Sequence, residues 1–103
     1  MINVYMYLDD DKDASKLANE LLQQKLVGHI SIDFNNNTMM MEKGKVKQQV
    51  CSLITAQTKA MLFNKILAFI NENYSGSIKL YSAPITQSND TFAKIIREET
   101  EKV

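Results

Sequence analysis

Ile2, Val4, Met6 and Leu8 alternate with Asn3, Tyr5 and Tyr7 at the start of the chain, a period of two that puts one set on each side of a strand. The acidic residues Asp9, Asp10 and Asp11 end that pattern, and Asp11 or Asp13 is expected to cap a helix by accepting bonds from its free amides. Ala14, Leu17, Ala18, Leu21 and Leu22 then recur at helical spacing and form one apolar stripe, with Gly28 suited to the exit. From there the period returns to two, Ile30, Ile32 and Phe34 facing one way and His29, Ser31 and Asp33 the other. Three asparagines at 35–37 favour a turn or bulge, residues 38–42 extend again, and Lys43-Gly44 offers a tight turn before residues 46–55. The pattern predicts a long hairpin with a bulged first arm. Thr58 is expected to cap a second helix that buries Ala60, Met61, Ile66, Leu67 and Ile70, and Ser75-Gly76 breaks the chain after it. Residues 78–83 read as a fourth strand closed by Pro84, and Asn89 or Asp90 caps a last helix bearing Phe92, Ile95 and Ile96.

The order strand, helix, strand, strand, helix, strand, helix defines an α+β fold: the ferredoxin-like split βαβ arrangement (βαββαβ) plus a C-terminal helix. Its helices cover one face of an antiparallel sheet, so the other face should be polar in a monomer. Here that face is assigned Tyr5, Tyr7, Cys51, Leu53 and Tyr81 among His29, Thr55 and Lys79, which is too apolar to stay exposed. A further subunit is therefore expected to cover it.

Length and charge narrow the classes. With 103 residues and 45% hydrophobic content, residues 1–103 are expected to form a single domain with no linker. Twelve basic residues balance twelve acidic ones, which argues against a nucleic-acid partner or an anionic membrane surface. Residues 1–8 lack the basic flank and length of an export signal, and the lone Cys51 fits a reducing compartment, so a cytoplasmic location is expected.

The run from Leu17 to Lys25-Leu26-Val27, Gly44-Lys45 on a hairpin, residues 49–55, and Ala83-Pro84-Ile85 ahead of Ser88-Asn89 together resemble the CutA divalent-cation tolerance family across nearly the whole chain. The layout agrees better than the individual motifs. Of the family's Glu-Gly-Lys run only Gly44-Lys45 is matched, and Met39, Met40 and Met41 occupy its aromatic positions. Its Ile-Lys-Thr ending becomes Ile54-Thr55-Ala56, and its His-Pro-Tyr-Glu motif survives as Tyr74 alone. The resemblance implies a homotrimer shaped like nitrogen-regulatory PII proteins, with the sheets turned to a common axis. It also implies binding or tolerance of a divalent metal such as copper. Lys45 and Tyr74 are the carry-over candidates for ligand binding in an intersubunit cleft, and His29, standing where many members carry a cysteine, is the candidate for metal.

Each candidate has an ordinary structural role as well. A lone histidine commonly serves as a hydrogen-bonded sheet residue, and closed metal sites take three or four ligands. Cys51 should lie opposite Asn36 or Asn37, about 20 Å from His29 at ~3.3 Å per residue, so the two cannot share an ion within one chain. Its ordinary role is a buried small apolar side chain. The thioethers of Met39, Met40 and Met41 suit copper(I), but neighbours on a strand face opposite ways, which favours adaptable packing. Asp9, Asp10, Asp11 and Asp13 lack the glycine and distal glutamate of a calcium loop and read as a solvated, helix-capping segment. Lys45 can be an exposed hairpin charge and Tyr74 a core or interface aromatic. No nucleophile with a base, phosphate loop, histidine pair or Met-x-Cys-x-x-Cys motif is visible, so a non-enzymatic binding protein is expected. The alternative is a PII-like signalling or interaction module that docks a protein partner through the projecting hairpin, residues 35–47.

Overall fold

The computed structural model describes residues 1–75 and 78–103. Strand β1 (Ile2–Leu8) leads to helix α1 (Asp11–Gln23), then β2 (His29–Glu42), β3 (Lys45–Thr58), a 3-10 turn (Ala60–Leu62) running into α2 (Phe63–Asn73), β4 (Lys79–Pro84) and α3 (Asp90–Glu99). The sheet order is β2-β3-β1-β4, and every pairing is antiparallel. This is the expected split βαβ arrangement with a terminal helix. The expected break at Ser75-Gly76 falls in part on residue 76, outside the described residues.

The period-two reading of β1 holds at every position. Ile2, Val4, Met6 and Leu8 are buried beneath the helices with Ala14, Leu17 and Leu21 of α1 and Ile66 and Ile70 of α2. On β3 the same face carries Ile54 and Ala56, and on β2 Ile30 and Ile32. Asn3, Tyr5 and Tyr7 turn to the uncovered face. Phe34 departs from expectation: it stands at the irregularity between Asp33 and Asn36 and is exposed, because the ladder slips there before the helix layer can cover the ring.

Local signals at helix ends were less faithful. Asp10, and neither Asp11 nor Asp13, is the N-cap of α1; its Oδ1 accepts from the amides of Lys12 at 2.7 Å and Asp13 at 3.2 Å. Gly28 does not close the helix. Lys25, at φ +59°, takes the left-handed position, with Lys25 N–H donating to the Leu22 carbonyl and Leu26 N–H to that of Leu21, the paired bonds of a Schellman ending. Gly28 instead admits α3: a Cβ there would stand 3.1 Å from Ile96 Cδ1.

Thr58 caps no helix. It ends β3, buried, and its Oγ1 donates to the Leu26 carbonyl at 2.6 Å, while the turn that follows has no side-chain cap. Because that turn is 3-10 rather than α, the inward position shifts to Leu62, and Ala60 and Met61 are exposed. Leu22 likewise lies at the rim of its stripe, exposed. Asn89 caps α3 as expected, its Oδ1 accepting from Phe92 N–H.

Beyond the helices the β2–β3 hairpin continues alone. Lys43 at φ +51° and Gly44 at φ +78° form its two-residue tip, a primed turn whose twist matches the strands. This projection stretches the chain to 43 Å by 29 Å by 21 Å and a radius of gyration of 14.2 Å, above the ~13 Å of a compact chain this long.

Two outcomes follow from this packing. Leu17→Ala removes a side chain with no exposure and should cost about 2–5 kcal/mol in urea unfolding; a loss under about 1 kcal/mol would contradict the assigned core. Lys25→Gly should stabilise the chain by up to about 1 kcal/mol, since glycine adopts the left-handed cap without a Cβ penalty; destabilisation would show that Lys25 is not held in that conformation.

Candidate functional site

The uncovered face has a polar end and an aromatic end. At the polar end His29 stands opposite Gln57, and Gln57 opposite Asn3. His29 Nδ1 and Gln57 Oε1 are 2.7 Å apart, and Gln57 Nε2 donates to Asn3 Oδ1 at 2.9 Å. Because Gln57 Oε1 can only accept, Nδ1 is the donor in this pair. The imidazole is exposed, and its ring centroid lies 5.3 Å from that of Phe92 of α3.

At the aromatic end Tyr5 and Tyr81 pair across β1 and β4 and stack with centroids 4.8 Å apart, with Tyr7 6.5 Å from Tyr81. Tyr81 remains 52% exposed, so the stack has an open side. The hydroxyl of Tyr81, and then burial, raise the Tyr7 phenol above its ordinary value.

Next to the tyrosines a mismatch of strand lengths opens a cleft. Strand β1 stops at Leu8, opposite Ser52, but β3 begins at Lys45, so residues 45–51 run past the end of their inner neighbour. The cleft, about 480 Å³, lies between this stretch and the segment entering β4, and Met40, Cys51, Tyr74, Lys79 and Tyr81 line it. Asp9, Asp10 and Asp13 from the start of α1 also border it. Asp9 accepts from Gln49 Nε2 at 3.3 Å. Asp11, just outside, accepts from the buried Ser52 hydroxyl at 2.6 Å, a link from α1 to the sheet that no local pattern announces.

Tyr74, immediately after α2, is the one resemblance-derived candidate on this cleft. Its hydroxyl donates to Glu20 of α1, and the Lys16 ammonium lies 5.7 Å from the centre of its ring. Burial, and then that bond to Glu20, push the phenol well above its ordinary value. The proton therefore stays on, and Tyr74 acts as a donor rather than a phenolate ligand. Cys51 is buried opposite Asn36, as expected, with its sulfur 3.2 Å from the Thr38 hydroxyl.

Lys45 sits at the hairpin tip opposite Glu42, about 40 Å along β2 from His29 at ~3.3 Å per residue. Within one chain the fold thus separates His29 from Lys45 and leaves both outside the cleft that Tyr74 lines. Among the described residues no three His, Cys, Asp or Glu side chains converge on one point. Met39 and Met41 face away from Met40 and are exposed, so the run cannot surround one ion. No helix among the described residues is long and apolar enough to cross a membrane.

Comparison with known proteins matches residues 2–99 to the CutA1 divalent ion tolerance protein family. A curated relative, the chloroplastic protein CutA of Arabidopsis thaliana, is 24% identical over 100 residues, 96% of this chain; the chain spans about half, 55%, of that protein's length. Among solved structures, CutA1 from Oryza sativa superposes with a TM-score of 0.91 at 18% identity, covering 99% of this chain and 94% of that one. CutA1 from Pyrococcus horikoshii gives 0.89 at 20%, covering 99% and 100%. The Thermus thermophilus divalent cation tolerance protein gives 0.88 at 18%, covering 98% and 100%. At such identities the superpositions speak for the fold, while the family match runs through every strand and helix described above, and the chain belongs to the CutA1 divalent ion tolerance protein family.

Proposed function

We propose that this protein works without catalysis, as a homotrimer that binds a divalent metal ion such as copper, or a small ligand, between its subunits in the service of metal tolerance. The observation that carries the reading is the open stack of Tyr5, Tyr7 and Tyr81 on the uncovered sheet face. Burying an aromatic side chain of this kind contributes roughly 1.5–3 kcal/mol, which favours a covering subunit over exposure. Family membership supports the tolerance role, and the free Cys51 fits a cytoplasmic setting.

His29 is the candidate metal ligand. Its Nδ1–H is held by Gln57, the kind of hydrogen bond that orients a ligating imidazole and turns Nε2 towards a metal. One imidazole per chain is too few for a closed site, so ligation through His29 draws on more than one copy. Tyr74 and Lys45 are the candidates for the intersubunit cleft, the first as a neutral phenol whose oxygen can accept while its proton is given to Glu20, and the second as a cation brought by another copy.

Native mass spectrometry of gently purified protein should find about three times the 11.7 kDa chain mass, with added mass when metal or ligand is retained; a monomer would refute the assembly. Calorimetric titration with Cu²⁺ should show His29→Ala weakening binding about tenfold or more, roughly 1.4 kcal/mol, and an unchanged isotherm would remove His29 from the site.

A further inference from the structure

His29, Gln57 and Asn3 stand side by side in one row across β2, β3 and β1. The row ends on β4 at Ala83, which has no polar side chain. Side chains directly opposite each other on neighbouring strands are close enough to interact, so such a row can carry an unbroken line of hydrogen bonds. Gln57, in the middle, uses both ends of its amide: Nε2 donates to Asn3 Oδ1 at 2.9 Å, and Oε1 lies 2.7 Å from His29 Nδ1.

The direction of that line decides where the imidazole carries its proton. With Asn3 Oδ1 accepting, the donor end of the Gln57 amide is held on β1 and the acceptor end is left for His29, so Nδ1 donates. In the neutral ring Nε2 is then the acceptor. Reversed as a whole, the line would run from the Asn3 amide nitrogen through Gln57 to Nδ1, and the proton would move to Nε2, the atom a metal would bind. An unrestrained neutral histidine favours the proton on Nε2, so the observed direction holds the ring in the less common tautomer. Phe92 stands against the same ring with centroids 5.3 Å apart.

We propose that Asn3 and Gln57 are positioning residues for His29: Asn3, two strands and roughly 10 Å away, fixes the direction of the row, and the row keeps the imidazole proton on Nδ1 so that Nε2 is free to bind a metal ion. This rests on the metal reading of His29 given above and deepens it, since it assigns a part in binding to a residue that touches no metal. The benefit is preorganisation, because a ligand already in the binding tautomer has no proton to give up as the metal arrives.

His29 is the single histidine of the chain, so ¹⁵N NMR of the metal-free protein, labelled at histidine and held at a mildly alkaline pH where imidazole is neutral, reads its tautomer without ambiguity. The native ring should carry its proton on Nδ1. Asn3→Leu should move the population towards Nε2–H and weaken Cu²⁺ binding in calorimetry about tenfold. Asn3→Asp, whose carboxylate can only accept from Gln57, should hold the tautomer where the native chain has it. Gln57→Leu, which removes the acceptor itself, should act as Asn3→Leu does, so that two sites on different strands report one effect. A native ring protonated on Nε2, or a tautomer that Asn3→Leu and Gln57→Leu both leave in place, would overturn the proposal while leaving His29 a metal candidate. The metal reading falls separately, and takes this inference with it, if His29→Ala leaves the Cu²⁺ isotherm unchanged.

Discussion

The short central strand β1 is the constraint on which the remaining architecture depends. It is paired on both edges, by β3 and β4, and its alternate residues Ile2, Val4, Met6 and Leu8 anchor the core. Everything on its other side follows from the pleat: once four side chains point into the core, Tyr5 and Tyr7 must point out, and Tyr81 joins them from β4. Its length matters as much as its pattern. Because β1 ends at Leu8 while its neighbour β3 reaches back to Lys45, the sheet carries a step, and the step is the cleft.

The same strand therefore sets two features, the aromatic face and the step in the sheet beside it. The helices satisfy one face of the sheet and leave the other. Tyr7 and Tyr74 are held neutral by their surroundings, and Cys51 is buried against Thr38 and Asn36. What the uncovered face offers is shape, apolar area and a small number of hydrogen-bonding groups, which suit association and ligand capture. His29 adds an exposed imidazole held by Gln57 at the same surface.

The fold was legible because strand periodicity is a strong local signal, and it placed Tyr5, Tyr7, Leu53, Tyr81 and His29 on the uncovered face and Cys51 opposite Asn36 or Asn37, of which the structure selects Asn36. Failures occurred where the deciding partner was distant in sequence or where several residues could serve equally. Four aspartates offered caps for α1, and the backbone geometry at Asp10 selected among them. Thr58 looks like a helix cap, but its hydroxyl is claimed by the Leu26 carbonyl across the fold. A left-handed lysine at 25 has no signature in composition, and the 3-10 turn at Ala60–Leu62 shifts the phase of the apolar stripe by one residue. The cleft was invisible for a related reason: it arises from the difference in length between two strands, which no single segment encodes. Periodicity put Tyr7, Cys51, Lys79 and Tyr81 on the uncovered face without showing that they border a cleft, and of the candidates taken from the resemblance only Tyr74 lines it.

The central claim is that the tyrosine face is an interface. Hydroxyl-radical footprinting of the native protein, read by mass spectrometry at Tyr5, Tyr7 and Tyr81, tests it most directly, because Tyr81 is 52% exposed in a single chain. The account predicts that Tyr81 is strongly protected at concentrations where the protein is assembled and becomes reactive on dilution to single chains. Reactivity matching that of an exposed tyrosine at every concentration would contradict it.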